Sequence, residues 1–222
     1  MGQFPITGGN KKGGPFFICG FRYGASRRKA ESSRGARVDS ILGLGRYPHG
    51  HHGTEFSLIA IEPITPSNTF LFKAVRLRAL EEAPYAFGST YAREIQLADS
   101  DWVKRVERWN GESGAGFLAM DENTACGIAG SFLDQEDATR AHLISMWTAP
   151  THRQRGIGRL LVNDVLNWAK GRNARTLQLL VTSNNEPAIG FYQRLGFTRT
   201  GRTEPYPNDP AVIEYEMSRP IP

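Results

Sequence analysis

Cysteine is scarce. The 222 residues hold two, Cys19 and Cys126, far apart and without CxxC or any other metal-ligand spacing. That excludes a disulfide framework and a cysteine-based zinc site, and it suits a reducing, cytoplasmic setting. Long hydrophobic runs are also missing. An apolar stretch such as residues 56–61, "FSLIAI", is strand-sized and too short to span a bilayer. The early basic residues are not followed by the apolar core of a signal peptide, and Ile6 stands where a myristoylation pattern needs Ser or Thr. No internal repeat is visible. No GxxxxGK[ST] phosphate loop occurs, and a GxGxxG fingerprint starting at Gly156 would need glycine at position 161, where Leu161 sits.

The body of the chain lacks an excess of either charge. Residues 1–56 carry nine Lys/Arg and three Asp/Glu, whereas residues 57–222 carry eighteen and nineteen. The net charge of +5 therefore belongs to the N-terminal segment. That segment is rich in Gly, Ser and Arg, and no apolar period survives in it, so it is read as a disordered basic extension. It is expected to be a solvated appendage without a specific nucleic-acid partner. Its histidines at 49, 51 and 52 are read as an incidental cluster in a flexible tail.

From residue 57 onward the texture is that of one globular domain. "SLIAIEP" alternates like a strand and stops at Pro63. A helix follows from a cap at Ser67 or Asn68, with Leu71, Ala74, Val75, Leu77, Ala79 and Leu80 on its apolar face. Trp102, Val103, Val106 and Trp109 mark a second helix. "AGFLAM" and "CGIAGSFL" flank "DENT" as a hairpin, and "AHLISMWTAP" is a strand closed by Pro150. A helix over 156–170, a strand over 176–181, a helix over 187–195 and two strands, "FTRTG" and "AVIEYEM", complete the chain. The order β-α-α-β-β-β-α-β-α-β-β predicts an α/β fold with a mixed, partly antiparallel central sheet and helices on both faces.

Residues 153–161, "RQRGIGRLL", place two glycines where a helix begins. Each costs a helix roughly 1 kcal/mol against Ala. At a helix start the first N–H groups lack intrahelical acceptors and the dipole is positive, which favours phosphate. Gly156 and Gly158 would let a diphosphate reach those N–H groups without meeting a Cβ, with Arg153 and Arg155 adding cationic reach. The alternative is that the glycines only ease close helix–sheet packing.

"RxxGxG" after an apolar strand ending in Pro resembles the coenzyme-A-binding motif of the GNAT N-acetyltransferase superfamily. The resemblance continues in "NNEPAIGFYQRLGF", with Asn185, Ala188, Phe191, Tyr192, Gly196 and Phe197 matching that superfamily's N-x-x-A-x-x-F-Y-x-x-x-G-F segment. It covers about residues 57–217, and residues 1–56 have no counterpart in it. Thr148 departs from the usual aliphatic residue, but its main chain should still serve.

The resemblance implies acetyl transfer from acetyl-CoA to an amine by direct attack on the thioester, with no metal. The main chain at Arg155, Gly156, Ile157 and Gly158 would hold the diphosphate, supported by Arg153 and Gln154. Pantetheine would lie between two splayed strands, where Met146, Trp147 and Thr148 offer main-chain groups and one N–H could polarise the thioester carbonyl. Tyr192 takes the position of the general acid that protonates the leaving thiolate, its alternative being an ordinary half-buried aromatic. Asn185, two helical turns away, would contact the coenzyme while also capping its helix.

No residue announces itself as the base. Glu94 is carried forward as the candidate, beside Glu81, Glu82 and a water relay, while His142 and His152 read as structural or solvent-facing. Tyr85, Phe87, Tyr91 and Trp102 are candidates for the acceptor wall or for the core. The acceptor is expected to be a small-molecule or peptide amine. No specific nucleic acid or membrane is expected as a partner, and the chain is expected to be a monomer or homodimer. The rival reading is a non-catalytic acyl-CoA-binding sensor.

Overall fold

A computed structural model of the protein describes residues 58–222. The expected extension over 1–56, with Cys19 and the three histidines, lies outside the described residues. Seven strands form one sheet in the order β1-β2-β3-β4-β5-β7-β6. β1 (Ile59–Pro63), β2 (Gly114–Asp121), β3 (Thr124–Leu133) and β4 (Arg140–Thr148) run antiparallel in succession. β5 (Thr176–Thr182) then pairs parallel to β4. β7 (Asp209–Pro220) lies between β5 and β6 (Thr198–Tyr206), antiparallel to both. The sheet is mixed and partly antiparallel, as the element order predicted.

The parallel step requires a crossover, and α4 (Ile157–Gly171) supplies it. Ile157, Leu161, Val162, Val165 and Ala169 recur at helical spacing and are buried. They lay α4 across β1 to β4, with the Leu161 side chain beside Gly127. The opposite face carries α1 (Thr69–Glu82) and α3 (Asp99–Trp109), and there Trp109 lies directly on Gly116 and Gly130. Trp109 also packs on Phe72, which meets Trp102 edge-on at 5.4 Å.

Three local differences from the sequence reading have physical causes. In α1 the buried residues are Phe72, Val75, Arg76, Ala79 and Leu80, while Ala74 is exposed. A buried arginine on the core-facing side erases the apolar period that would have marked it. α2 (Tyr91–Glu94) was not foreseen: it has four residues, too few to show a period, and is announced only by its Thr90 cap, which accepts from the Arg93 N–H at 3.3 Å. β6 and β7 run longer than expected because Gly201, at φ 90, sits within a register slip and hides the strand's continuity. α5 (Glu186–Arg194) begins one residue before Pro187, close to its expected start.

Candidate active site

Two features of β4 open the sheet. β4 and β5 are paired only at residues 140–142 and 176–178, so the two parallel strands part beyond His142. On its other side β4 is out of step with β3: Trp147 faces Ile128 but Ile144 faces Gly130, which leaves Ser145 and Met146 outside the register. Ser145 has φ 55, a bulge that turns the backbone toward the gap.

The "RxxGxG" loop closes one end of this gap. After Pro150 the chain makes a 3-10 turn through His152 and enters α4 at Gly156, which caps the helix with φ 80. A Cβ on Gly156 would meet nothing within 4 Å, so the space beside it is open. Gly158 is different. Its Cβ would lie 2.9 Å from Phe191 Cζ and 3.2 Å from Met146 Cε. Gly156 thus meets the need for bare backbone beside open space, and Gly158 meets the need for close packing. The main-chain N–H groups of Arg155, Gly156, Ile157, Gly158 and Arg159 find no acceptor among the described residues.

The arginines are deployed otherwise than expected. Arg153 donates to Glu82 Oε2 at 2.6 Å and to the Thr148 carbonyl at 3.1 Å, and Glu82 also accepts from Trp147 Nε1 at 2.8 Å. Arg153 and Glu82 therefore brace the loop against β4 and α1. Arg155 turns away from the gap and donates to Asp121 Oδ2 at 3.2 Å. The same carboxylate oxygen lies 3.0 Å from His152 Nε2. The expected cationic reach of Arg155 is spent there.

A cleft of about 610 Å³ runs from this loop to the gap. It is lined by Met146, Trp147, Thr148, Arg153, Gln154, Gly156, Ile157 and Gly158, and across from them by Asn185, Phe191 and Tyr192 of the α5 segment. Asn185 Oδ1 accepts from the Ala188 N–H at 3.3 Å, the capping contact expected of it. Tyr192 is 8% exposed and packs between Phe191 and Phe197. Beyond Met146 and Tyr192 the cleft meets a second, smaller recess lined by Tyr85, Leu143, Ser145, Leu180, Thr182 and Glu214. Ala86, Met146, Asn185, Ala188 and Tyr192 belong to both.

Glu94 does not suit the base role. It is 1% exposed, with Arg76 Nη2 at 2.9 Å from Oε1 and Arg105 Nη1 at 2.7 Å from Oε2. Burial pushes its carboxyl up, but the Arg76 and Arg105 guanidiniums outweigh that and hold it at about 2. Such a carboxylate has almost no hold on a proton near neutrality. Glu81 is exposed, and Glu82 is committed to Arg153. His142 is buried, stacks on Phe132 and bonds Asp134 at 3.0 Å, and burial pushes its imidazole down. Of the four aromatics weighed for the acceptor wall, Tyr85 lines the recess, whereas Phe87 and Trp102 are core. Among the described residues no cluster of His, Cys, Asp and Glu could hold a metal ion, and no helix is long and apolar enough to cross a membrane.

The Acetyltransferase (GNAT) family model matches residues 75–197, more than half of the chain, from within α1 through the bulged strand and the loop to the end of α5. The chain belongs to the GNAT acetyltransferase family. Peptidyl-lysine N-acetyltransferase YjaB of Salmonella typhimurium is 37% identical over 144 residues, 60% of this chain and 83% of that protein. Streptothricin acetyltransferase of Escherichia coli is 33% identical over 91 residues, 36% of this chain, and the matched part spans about half (51%) of that protein's length. The N-acetyltransferase paiA of Thermoplasma acidophilum, solved in complex with coenzyme A, shares the fold at 15% identity with a TM-score of 0.60, covering 73% of this chain and 99% of that one.

In this GNAT chain two cleft-lining cations escaped the sequence reading. Arg159 and Arg194 are exposed, line the cleft and are in no ion pair among the described residues. Arg159 lies in the first turn of α4, and Arg194 reaches over Gly190 from the end of α5. The motif drew attention to the arginines before the glycines, whereas the free ones follow them.

Proposed function

We propose that the protein moves the acetyl group of acetyl-CoA to a primary amine by direct attack of nitrogen on the thioester. The observation that carries this reading is the row of five unpaired N–H groups at the loop, opening on a cleft that ends where β4 and β5 part. The row suits a diphosphate, with Arg159 and Arg194 as cationic partners. From there a pantetheine arm laid along β4 would bring the thioester to Met146, beside Tyr192. A main-chain N–H at the bulge would stabilise the oxyanion. As the C–S bond breaks, Tyr192 gives its proton to the sulfur. The two relatives are named for peptidyl-lysine and for streptothricin, so peptide and small-molecule amines both belong in the acceptor panel.

An amine panel read by release of free CoA thiol tests the reaction class. Release that depends on the amine supports transfer. Binding of acetyl-CoA without amine-dependent release of thiol identifies a sensor module instead. Tyr192→Phe is expected to keep the acetyl-CoA-induced rise in thermal midpoint and to lower kcat by roughly 10²-fold. Equal turnover in the variant removes Tyr192 from the acid role.

A further inference from the structure

One oxygen of a buried carboxylate has no hydrogen-bond partner among the described residues. Glu214, on β7, is 3% exposed, and its Oε2 makes no hydrogen bond among the described residues. An unsatisfied buried carboxylate is costly, and such atoms call for a reason. Its place in the fold supplies one. In the ladder it faces Thr182 of β5 on one side and Glu204 of β6 on the other, and it lines the recess that joins the cleft at Ala86, Met146, Asn185, Ala188 and Tyr192. The carboxylate therefore lines the same recess as Met146 and Tyr192, where the thioester is proposed to arrive.

Resting on the transfer reaction proposed above, we propose that Glu214 is the general base that takes the proton from the acceptor's ammonium group. With Glu204 it also makes the recess selective for cationic amines. The other candidates are occupied, Glu94 by two arginines, Glu82 by Arg153, His152 and His142 by aspartates. The recess holds about 60 Å³, room for the end of an aminoalkyl chain but not for a large head group. Burial raises the Glu214 carboxyl, the negative charge of Glu204 raises it further, and it stands at about 7. A base poised there is half ionised at neutral pH and still able to hold a proton.

The other titratable groups around it are Tyr85 and Tyr192 in the recess and Glu216 two residues along β7. Glu216 is tied to the Thr200 hydroxyl at 2.7 Å. None of the described residues that line the recess is a cation, so an incoming ammonium would be the counter-ion.

The steps balance. R–NH3⁺ gives one proton to Glu214, the freed lone pair forms the N–C bond, and the carbonyl becomes an oxyanion. Its collapse breaks the C–S bond. The nitrogen loses a second proton, which restores the hydroxyl of Tyr192 after that residue has given its own proton to the thiolate. Net, one proton leaves to solvent from Glu214.

The test is the pH profile of kcat/KM for an aliphatic amine at saturating acetyl-CoA, measured on the full chain and on Glu214→Gln. Wild type is expected to show an acidic limb near 7. The variant should lose that limb and about 10²-fold in rate, and recover rate at high pH as free amine becomes abundant. Its acetyl-CoA-induced thermal shift should be unchanged, which also shows that it is folded. Glu204→Gln should move the limb to lower pH. An unaltered profile in Glu214→Gln, with wild type active, overturns this inference alone. A wild type inactive toward every amine overturns the transfer reading and the base with it.

Discussion

Gly156→Glu abolishes the stabilisation that acetyl-CoA confers. At a ligand concentration of about 100 Kd that stabilisation is roughly 2.7 kcal/mol, or roughly 5–10 °C in midpoint for a domain of this size. The substitution acts twice. It forces a Cβ residue to φ 80, at about 1–2 kcal/mol, and it sets a carboxylate before the unpaired N–H groups that would face the diphosphate. Gly156→Ala separates the two effects. Nothing lies within 4 Å of its Cβ, so it lowers the midpoint of the free protein by the strain alone and retains an acetyl-CoA shift. Equal shifts in the Glu variant and wild type would mean that the diphosphate sits elsewhere.

Glu94→Gln costs about 3–5 kcal/mol of stability, because it leaves Arg76 and Arg105 partly buried without their counter-charge. The pH dependence gives the sign. With the folded carboxyl at about 2 and the unfolded one near 4.5, ionised Glu94 contributes about 3 kcal/mol. That contribution is present above the unfolded value and is lost as pH falls through 2. Glu214 runs the other way. Its folded value of about 7 lies above the unfolded one, so its contribution is present below 4.5 and is lost as pH rises through 7. Glu214→Gln should therefore match wild-type stability in acid and exceed it above neutrality. Denaturant titrations at several pH values check both, and a Glu94→Gln protein as stable as wild type would show that the arginine clamp is not structural.

The fold was legible where one side chain type served one purpose. α4 shows its period because Ile157, Leu161, Val162, Val165 and Ala169 all face the sheet. The loop was legible only in part: Gly156 borders open space, whereas Gly158 follows the alternative reading and packs closely against Phe191 and Met146. α1 was half legible, since Arg76 occupies its inner face in order to meet Glu94 and Ser145. The partners of Arg153 and Arg155 could not be read, because Glu82 and Asp121 lie 71 and 34 residues away. Glu214 was hidden most fully. In "AVIEYEM" an alternating glutamate reads as the solvated face of an edge strand, and only the sheet order, which inserts β7 between β5 and β6, buries it beside the gap.

Hydrogen exchange at the amides of residues 155–159, with and without acetyl-CoA, tests the diphosphate grip most directly. These N–H groups have no acceptor within the described protein, so they should exchange quickly in the free chain and slow markedly when acetyl-CoA binds. Acetyl-pantetheine, which lacks the diphosphate, should leave them fast. Amides that are already slow without ligand, or that stay fast while acetyl-CoA protects another part of the chain, would contradict the account.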